Sequence, residues 1–286
     1  MKKIKKNDFD GYIKHGIKFY NLTGRDKHTK RHLKIKKKFE IVIRKKSNQK
    51  LRRCQICASK KNNLLFIKDG FRHVICNKCS FIFVNPILKK TISHNHFFDE
   101  NSYNKVLKNK INLDLDKKKF LYGLQNLNIN KKNKKILDIG CGYGFFLDQA
   151  KKYNWDVYGS ELNNDCIDKL KKKKIKLFNF EDNIKFDCIT MWTVLEHIDN
   201  INLFIRKIKT KLEKNGKIII NVPNVNSLSA TILQEKCTMF SGEQHINHFS
   251  AQTLKFFLKK HNFKIKKIET LLTDFGTVKK YLNFNK

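Results

Sequence analysis

Four cysteines are spaced so that their sulfurs can meet. Cys54-Gln55-Ile56-Cys57 is followed, after eighteen residues, by Cys76-Asn77-Lys78-Cys79. Each Cys-x-x-Cys presents two sulfurs from one tight turn. Two such turns complete a tetrahedral thiolate shell with metal–sulfur bonds of about 2.3 Å, the spacing of a four-cysteine zinc ribbon. Four protein ligands close the shell, so the expected ion is a structural Zn2+ with no open position for chemistry. A redox Cys-x-x-Cys would not need the second pair, and His73, near the second knuckle, is not required as a fifth ligand. The other cysteines, Cys141, Cys166, Cys188 and Cys237, are scattered, a pattern that reads as metal binding and not as a disulfide framework.

A second constellation is Asp138-Ile139-Gly140-Cys141-Gly142-Tyr143-Gly144. Glycines permit a tight turn and let backbone approach a ligand closely, and the helix that follows offers unpaired N–H groups to an anionic group. The dinucleotide pattern G-x-G-x-x-G wants Gly or Ala at position 145, where this chain has Phe145, so a nicotinamide cofactor is disfavoured. Glu161 lies about 20 residues beyond the turn, where a carboxylate can accept from both hydroxyls of a ribose.

The elements that must hold these residues follow from the apolar pattern. LLFI (64–67), HVI (73–75) and FIFV (81–84) alternate with the cysteine pairs, with a hairpin turn at Asp69-Gly70 and a stop at Asn85-Pro86. From residue 131 strands and helices alternate. Strands are expected at 135–140, 156–162, 175–180, 186–192, 217–223 and 263–272. Helices are expected at about 144–153, 164–173, 201–213 and 250–261, with a turn at Asn215-Gly216 and Ser250 capping the last helix. Such alternation predicts an α/β, doubly wound, mainly parallel sheet that binds its ligand at the strand C-terminal edge. The expected organisation is a basic extension (1–50) containing a strand-like FEIVIR (39–44), a ribbon (51–92), a helical connection (93–130) and the α/β domain (131–286). A weak pattern at 276–284 is the candidate seventh strand.

The 286 residues allow one α/β domain plus a small module. A hydrophobic content of 40% argues against general disorder. No stretch approaches the ~20 apolar residues of a membrane span, and no apolar run follows the basic N-terminus, so the expected compartment is the cytoplasm. The net charge of +37 has two readings: an anionic partner, or a composition bias in which Lys, Asn and Ile are abundant together. Lysine runs in loops and on polar helix faces favour the second.

In combination, LDIGCGYG (137–144), Glu161, FDCITMWTVLEHIDN (186–200) and KNGKIIINVPN (214–224) resemble the class I S-adenosylmethionine-dependent methyltransferases over roughly residues 135–270. The resemblance implies that Gly140, Cys141, Gly142 and Gly144 meet the methionyl and ribose parts of the cofactor. It implies that Asp138 orders the turn and the amine side, and that Glu161 grips the ribose. Phe180 is implied beside the adenine, and Leu162 and Trp192 are further candidate contacts. Asp187 reads as structural and Leu195 as packing; His197 reads equally as a loop hydrogen-bonder or a substrate contact. CQIC…CNKC…FIFVNP followed by such a domain resembles bacterial enzymes that modify sugars or cell-surface glycans, including the sugar C-methyltransferases. This chain departs from that group in having Ala58 and Ser80 where a glycine usually follows each knuckle.

SGEQHINHFS (241–250) is similar to the Tyr-His-Glu-His stretch of those C-methyltransferases, with only the last histidine matching, at His245. The similarity implies a histidine base at His245, whose ordinary pKa suits the role, or else a lid residue. Three functions are weighed. The first is a methyltransferase for a small, anionic substrate: a sugar, nucleotide-sugar or cell-surface glycan precursor. The second is an RNA methyltransferase gripping nucleic acid with the basic arm and ribbon, although the acidic/amide-Pro-Pro-aromatic motif of base methylation is absent after Thr190-Met191-Trp192. The third is a binding module with a decayed cofactor site, against which the intact turn and Glu161 speak.

Overall fold

The computed structural model describes residues 41–89, 109–127 and 132–271. Most of the basic extension, residues 93–108 and 128–130 of the helical connection, and the candidate seventh strand lie outside the described residues. The described chain divides into two compact units interleaved in sequence. One comprises 114–195 and 200–222; the other comprises 41–89, 109–113, 196–199 and 223–271. No described helix is long and apolar enough to cross a membrane.

In the second unit, residues 41–44 are helical, not extended as FEIVIR suggested. The side-chain amides of Asn48 and Gln49 donate to the carbonyls of Val42 and Ile43, at 3.0 and 2.6 Å, and satisfy acceptors that a short helical turn leaves open. Five strands follow: β1 (Gln49–Lys50), β2 (Asn62–Lys68), β3 (Phe71–Cys76), β4 (Ile82–Val84) and β5 (Ile87–Leu88). β1 pairs antiparallel with β5. β2 and β3 form the expected hairpin: Lys68 faces Phe71 across Asp69 (φ 51°) and Gly70 (φ 82°), two left-handed residues as a type I′ turn demands. Ile43, Phe71, Val84, Ile87 and Leu88 bury together as a small core.

The first unit is built on a parallel sheet. Helix α1 (Lys110–Gln125) leads into β6 (Lys135–Ile139), α2 (Phe145–Lys151), β7 (Asp156–Ser160), α3 (Asn164–Lys172), β8 (Lys176–Leu177), β9 (Phe186–Trp192), α4 (Ile201–Thr210) and β10 (Leu212–Asn221). The strand order is β10-β9-β6-β7-β8, every pair parallel. β6 and β9 are buried along nearly their whole length, which explains their continuous apolar runs. Phe120, Leu124 and Leu127 pack with Ile136, Phe146, Leu147 and Leu170 in the main core. β8 is only two exposed residues, because it is the sheet edge and has one neighbour. Asn215-Gly216 does not separate helix from strand: it forms an irregularity inside β10, where Asn215 has φ 67° and the register with β9 shifts between Leu212 and Lys217.

The second unit closes with α5 (Leu228–Leu233), β11 (Asn247–His248) and α6 (Ala251–Lys260). β11, which the sequence did not suggest, adds to the ribbon hairpin in the antiparallel order β11-β4-β3-β2. Ser250 caps α6 as expected, in a reciprocal capping box with Thr253. Residues 263–271 carry neither helix nor strand, against the expected sixth strand. Apolar alternation makes a strand only where a neighbouring strand takes its N–H and C=O groups, and no described strand pairs with this segment.

Candidate functional site

The order β10-β9-β6-β7-β8 reverses between β6 and β9, the switch point at which open α/β sheets bind ligands in the crevice beyond the C-terminal ends of the strands. The glycine turn leaves β6 at this point. Gly140, Gly142 and Gly144 all have left-handed φ, at 66°, 51° and 73°. The N–H groups of Gly140 and Cys141 both donate to the Ser160 carbonyl, at 2.8 and 3.3 Å, which ties the turn to the end of β7. A Cβ on Gly144 would lie 2.7 Å from Leu170 and Ile175, and one on Gly140 2.9 Å from Val194. A Cβ on Gly142 would meet nothing within 4 Å. Gly140 and Gly144 thus fit the fold, whereas Gly142 presents bare backbone to open space. The Cys141 side chain turns away into the core, against Gly159.

Glu161 reaches back to the same turn. Its Oε2 accepts from the Gly142 N–H at 2.8 Å, and its Oε1 accepts from the N–H groups of Leu162 and Asn163 at 2.7 and 3.0 Å. With two lone pairs per oxygen, Oε1 is saturated and Oε2 keeps one for a ligand hydroxyl. Leu162 beside it is 83% exposed, an apolar surface with nothing yet upon it. Asp138 is buried beneath the turn and accepts from the Thr190 hydroxyl at 2.7 Å. Burial raises its carboxyl to about 8, against the stabilising Thr190 hydrogen bond and with a further upward push from Glu161.

Phe180 and Trp192 are held by aromatic neighbours. Phe180 lies edge-on to Phe178 at 5.4 Å. Trp192 ends β9 and packs with Phe120 and Phe146 at 5.1 and 5.4 Å, and its buried Nε1–H has no hydrogen-bond partner. Close packing of Gly123 against the indole explains why α1 carries a glycine there: a Cβ would lie 2.8 Å from the ring.

In the second unit the four predicted cysteines converge, every sulfur within 4.8 Å of the others. Cys54–Cys79 and Cys57–Cys76 sulfurs are 3.5 and 3.4 Å apart, far beyond a disulfide bond and close to the ~3.8 Å edge of a tetrahedron with 2.3 Å metal–sulfur bonds. The two knuckles repeat one geometry. Ala58 N–H donates to Cys54 O and Ser80 N–H to Cys76 O, both at 2.9 Å; Cys54 N–H donates to Ser59 O and Cys76 N–H to Phe81 O, both at 3.0 Å. Ala58 and Ser80 take left-handed φ of 62° and 57°, so the bend that glycine usually makes is kept without it. Burial pushes the Cys76 thiol up, but the N–H groups of Lys78 and Cys79 and the neighbouring thiols outweigh it and bring it to about 7. These four residues fit a soft or borderline tetrahedral cation such as Zn2+.

His245 lies in the same unit. Its Nδ1 donates to the Met239 carbonyl at 2.9 Å, so in the neutral ring Nε2 carries the bare lone pair. Burial lowers its pKa below the ordinary 6.5. His197 is held in the same way, Nδ1 to Gln244 O at 3.0 Å, with its ring edge-on to His245 at 4.8 Å. Two residues here escaped sequence reasoning. Glu196 is 1% exposed beside these histidines. Arg52 is buried and donates to Val84 O, Ile246 O and the Asn247 side chain at 3.1, 2.6 and 2.8 Å, locking the ribbon to the segment that follows His245. The available signal for Arg52 was an arginine beside a knuckle in a chain whose basic residues are otherwise almost all lysine.

The chain is similar to several known proteins. An uncharacterized protein of Methanocaldococcus jannaschii is 36% identical over 103 residues, covering 35% of this chain and 45% of that protein. A ubiquinone biosynthesis O-methyltransferase of Pelagibacter ubique is 32% identical over 104 residues, covering 32% of this chain and 43% of that protein. The chain thus spans less than half the length of these two curated relatives. The crystal structure of a SAM-dependent methyltransferase from Archaeoglobus fulgidus is 22% identical, with a TM-score of 0.43 over 60% of this chain and 85% of that one. The family described as methyltransferase domain matches residues 111–268, more than half of the sequence. With a five-stranded parallel sheet and a glycine turn at its switch point, the chain belongs to the methyltransferase-domain family, of the class I, Rossmann-like fold.

Proposed function

We propose that the protein is an S-adenosylmethionine-dependent methyltransferase acting on a small molecule, a sugar, nucleotide-sugar or cell-surface glycan precursor, with a structural Zn2+ held by Cys54, Cys57, Cys76 and Cys79. The carrying observation is Gly142: bare left-handed backbone facing open space, with its N–H held by Glu161. A cofactor with an amino-acid end and a ribose fits this pair. Gly142 lets the backbone approach the methionyl and ribose portion, Glu161 Oε2 accepts from a ribose hydroxyl, and Leu162 and Phe180 offer apolar cover for a base. Asp138, under the turn, faces the ammonium side, and Trp192 closes the β9 end of the crevice.

When bound, the cofactor supplies an electrophilic methyl on a sulfonium. His245 is the base in this reading: its Nε2 would take the proton from the acceptor hydroxyl and so raise the nucleophilicity of that oxygen toward the methyl group. Lowered by burial, the ring is neutral near pH 7 and ready to accept. Likeness to an O-methyltransferase over the matched residues supports an oxygen acceptor. The sugar class rests on resemblance of the ribbon-plus-domain arrangement.

The test is methyl transfer from labelled donor to a panel of nucleotide-sugars, with RNA as a control acceptor. Product with a sugar supports the reading, and product with RNA alone overturns the substrate class. For the base, His245→Gln should slow single-turnover transfer about 100-fold or more. It should also remove an acid limb lying below pH 6.5; an unchanged single-turnover rate rules the base out.

A further inference from the structure

Outside the cysteine site, a second set of metal-ligating side chains converges in the same unit. A carboxylate oxygen of Glu196 and one ring nitrogen each of His197 and His245 lie within 4.8 Å of one another. The three side chains differ in burial in a way that suits an ion site: Glu196 is buried, His245 half-buried and His197 exposed, so there is a floor and an entrance. Both imidazoles are also fixed. Each spends its Nδ1–H on a backbone carbonyl, His197 on Gln244 and His245 on Met239, at 3.0 and 2.9 Å. A backbone-carbonyl partner on the far nitrogen is the usual outer support of a metal-bound histidine, since it sets the tautomer and aims the Nε2 lone pair. One backbone and one side-chain hydrogen bond join the segments that bear the three groups: Ile246 N–H donates to Glu196 O at 2.9 Å, and Asn247 Nδ2–H to Ile198 O at 2.7 Å. The ligands are therefore brought together before any ion arrives.

We propose that Glu196, His197 and His245 form a second metal site, for a divalent first-row transition cation such as Zn2+ or Co2+. Two imidazoles and one carboxylate are a mixed nitrogen–oxygen set, harder than the four thiolates, and three protein ligands leave at least one position open to water or an acceptor oxygen. The ion and a proton compete for the same Nε2 lone pair of His245. On the base role proposed above, filling this site inhibits methyl transfer, whereas filling the cysteine site does not.

The experiment uses untagged full-length protein dialysed against Zn2+ and, separately, Co2+, with metal content and cobalt spectra read together. Two equivalents per chain are expected. The tighter should carry thiolate-to-cobalt charge transfer, and the weaker should show only the ligand-field bands of a nitrogen–oxygen site. His197→Gln, at an exposed position, should drop the count from two to one and keep the charge-transfer band. A single equivalent in the native protein, or two equivalents undisturbed by His197→Gln and by His245→Gln, overturns the site. The second equivalent should also suppress transfer at least tenfold. Binding of that equivalent with full activity retained leaves the site standing and overturns the base role instead, so the two claims fail separately.

Discussion

The glycine turn and the cysteine knuckles solve a similar backbone problem with different residues. Both bend through left-handed φ: at Gly140, Gly142 and Gly144 in the turn, and at Ala58 and Ser80 in the knuckles. In the turn, side chains are excluded from two directions, by Val194, Leu170 and Ile175 within the fold and, at Gly142, by whatever the crevice receives. In the knuckles the functional atoms are side-chain sulfurs, so a Cβ on the following residue obstructs nothing the site needs. Left-handed backbone costs an L-residue on the order of 1 kcal/mol, which the four metal–thiolate bonds of the proposed Zn2+ site would readily offset. Where backbone is the ligand surface glycine is required; where side chains are the ligands it is an option.

The largest effect should come from the knuckle side. Stripping the metal with a strong chelator, or replacing Cys76 by Ser, should abolish the cooperative unfolding of the ribbon-containing unit, read by circular dichroism and limited proteolysis within the 41–89 region. A melting curve indifferent to chelator would show that the thiols support the fold unaided. Next, Gly144→Ala should destabilise the protein by about 1–3 kcal/mol in urea, because its Cβ meets Leu170 and Ile175 in a filled core. Gly142→Ala separates stability from binding. It should cost only the left-handed strain, about 1 kcal/mol, while weakening cofactor affinity at least tenfold. Equal losses at the two glycines would mean that Gly142 is as structural as Gly144.

A smaller effect concerns protons. Asp138 is raised by burial from an ordinary 3.8 to about 8, so the folded ligand-free protein holds more protons than the unfolded chain between those values. Its stability contribution therefore declines as pH climbs from about 4 through 8. An ammonium brought beside Asp138 favours the carboxylate, and cofactor binding at pH 7 should release up to one proton. Calorimetry in two buffers of different ionisation enthalpy measures this, and Asp138→Asn should abolish it. Smallest of all, Ala58→Gly and Ser80→Gly should each stabilise the metal-loaded protein by up to about 1 kcal/mol. A loss instead would mean that those side chains make contacts worth more than the strain.

Legibility in the sequence followed the same divide. Local signals were reliable: the Cys-x-x-Cys pairs, Asp69-Gly70, Ser250 and the glycine turn each specify a bend or a cap within a few residues. Signals that need a distant partner were not. Residues 263–272 alternate like a strand yet no ladder forms for 263–271, and FEIVIR reads as extended until Asn48 and Gln49 are seen satisfying its carbonyls. Glu196 sits between Leu195, which reads as packing, and His197, which reads as a loop or substrate contact, and only the fold brings it to His245, 49 positions away in sequence. Arg52 and β11 likewise acquire meaning from distant pairings, Arg52 with Ile246 across 194 residues and β11 with β4 across about 165. Glu161 and Leu162 are legible in the sequence as candidate cofactor contacts, but that Glu161 holds the Gly142 N–H is not visible before the structure.

The decisive measurement is calorimetric titration of the metal-loaded protein with S-adenosylhomocysteine, beside Glu161→Gln. Saturable one-to-one binding by the native chain, weakened at least tenfold when the carboxylate is lost, is the predicted result. Absence of binding by well-folded protein would contradict the assignment of the β6 crevice at its root.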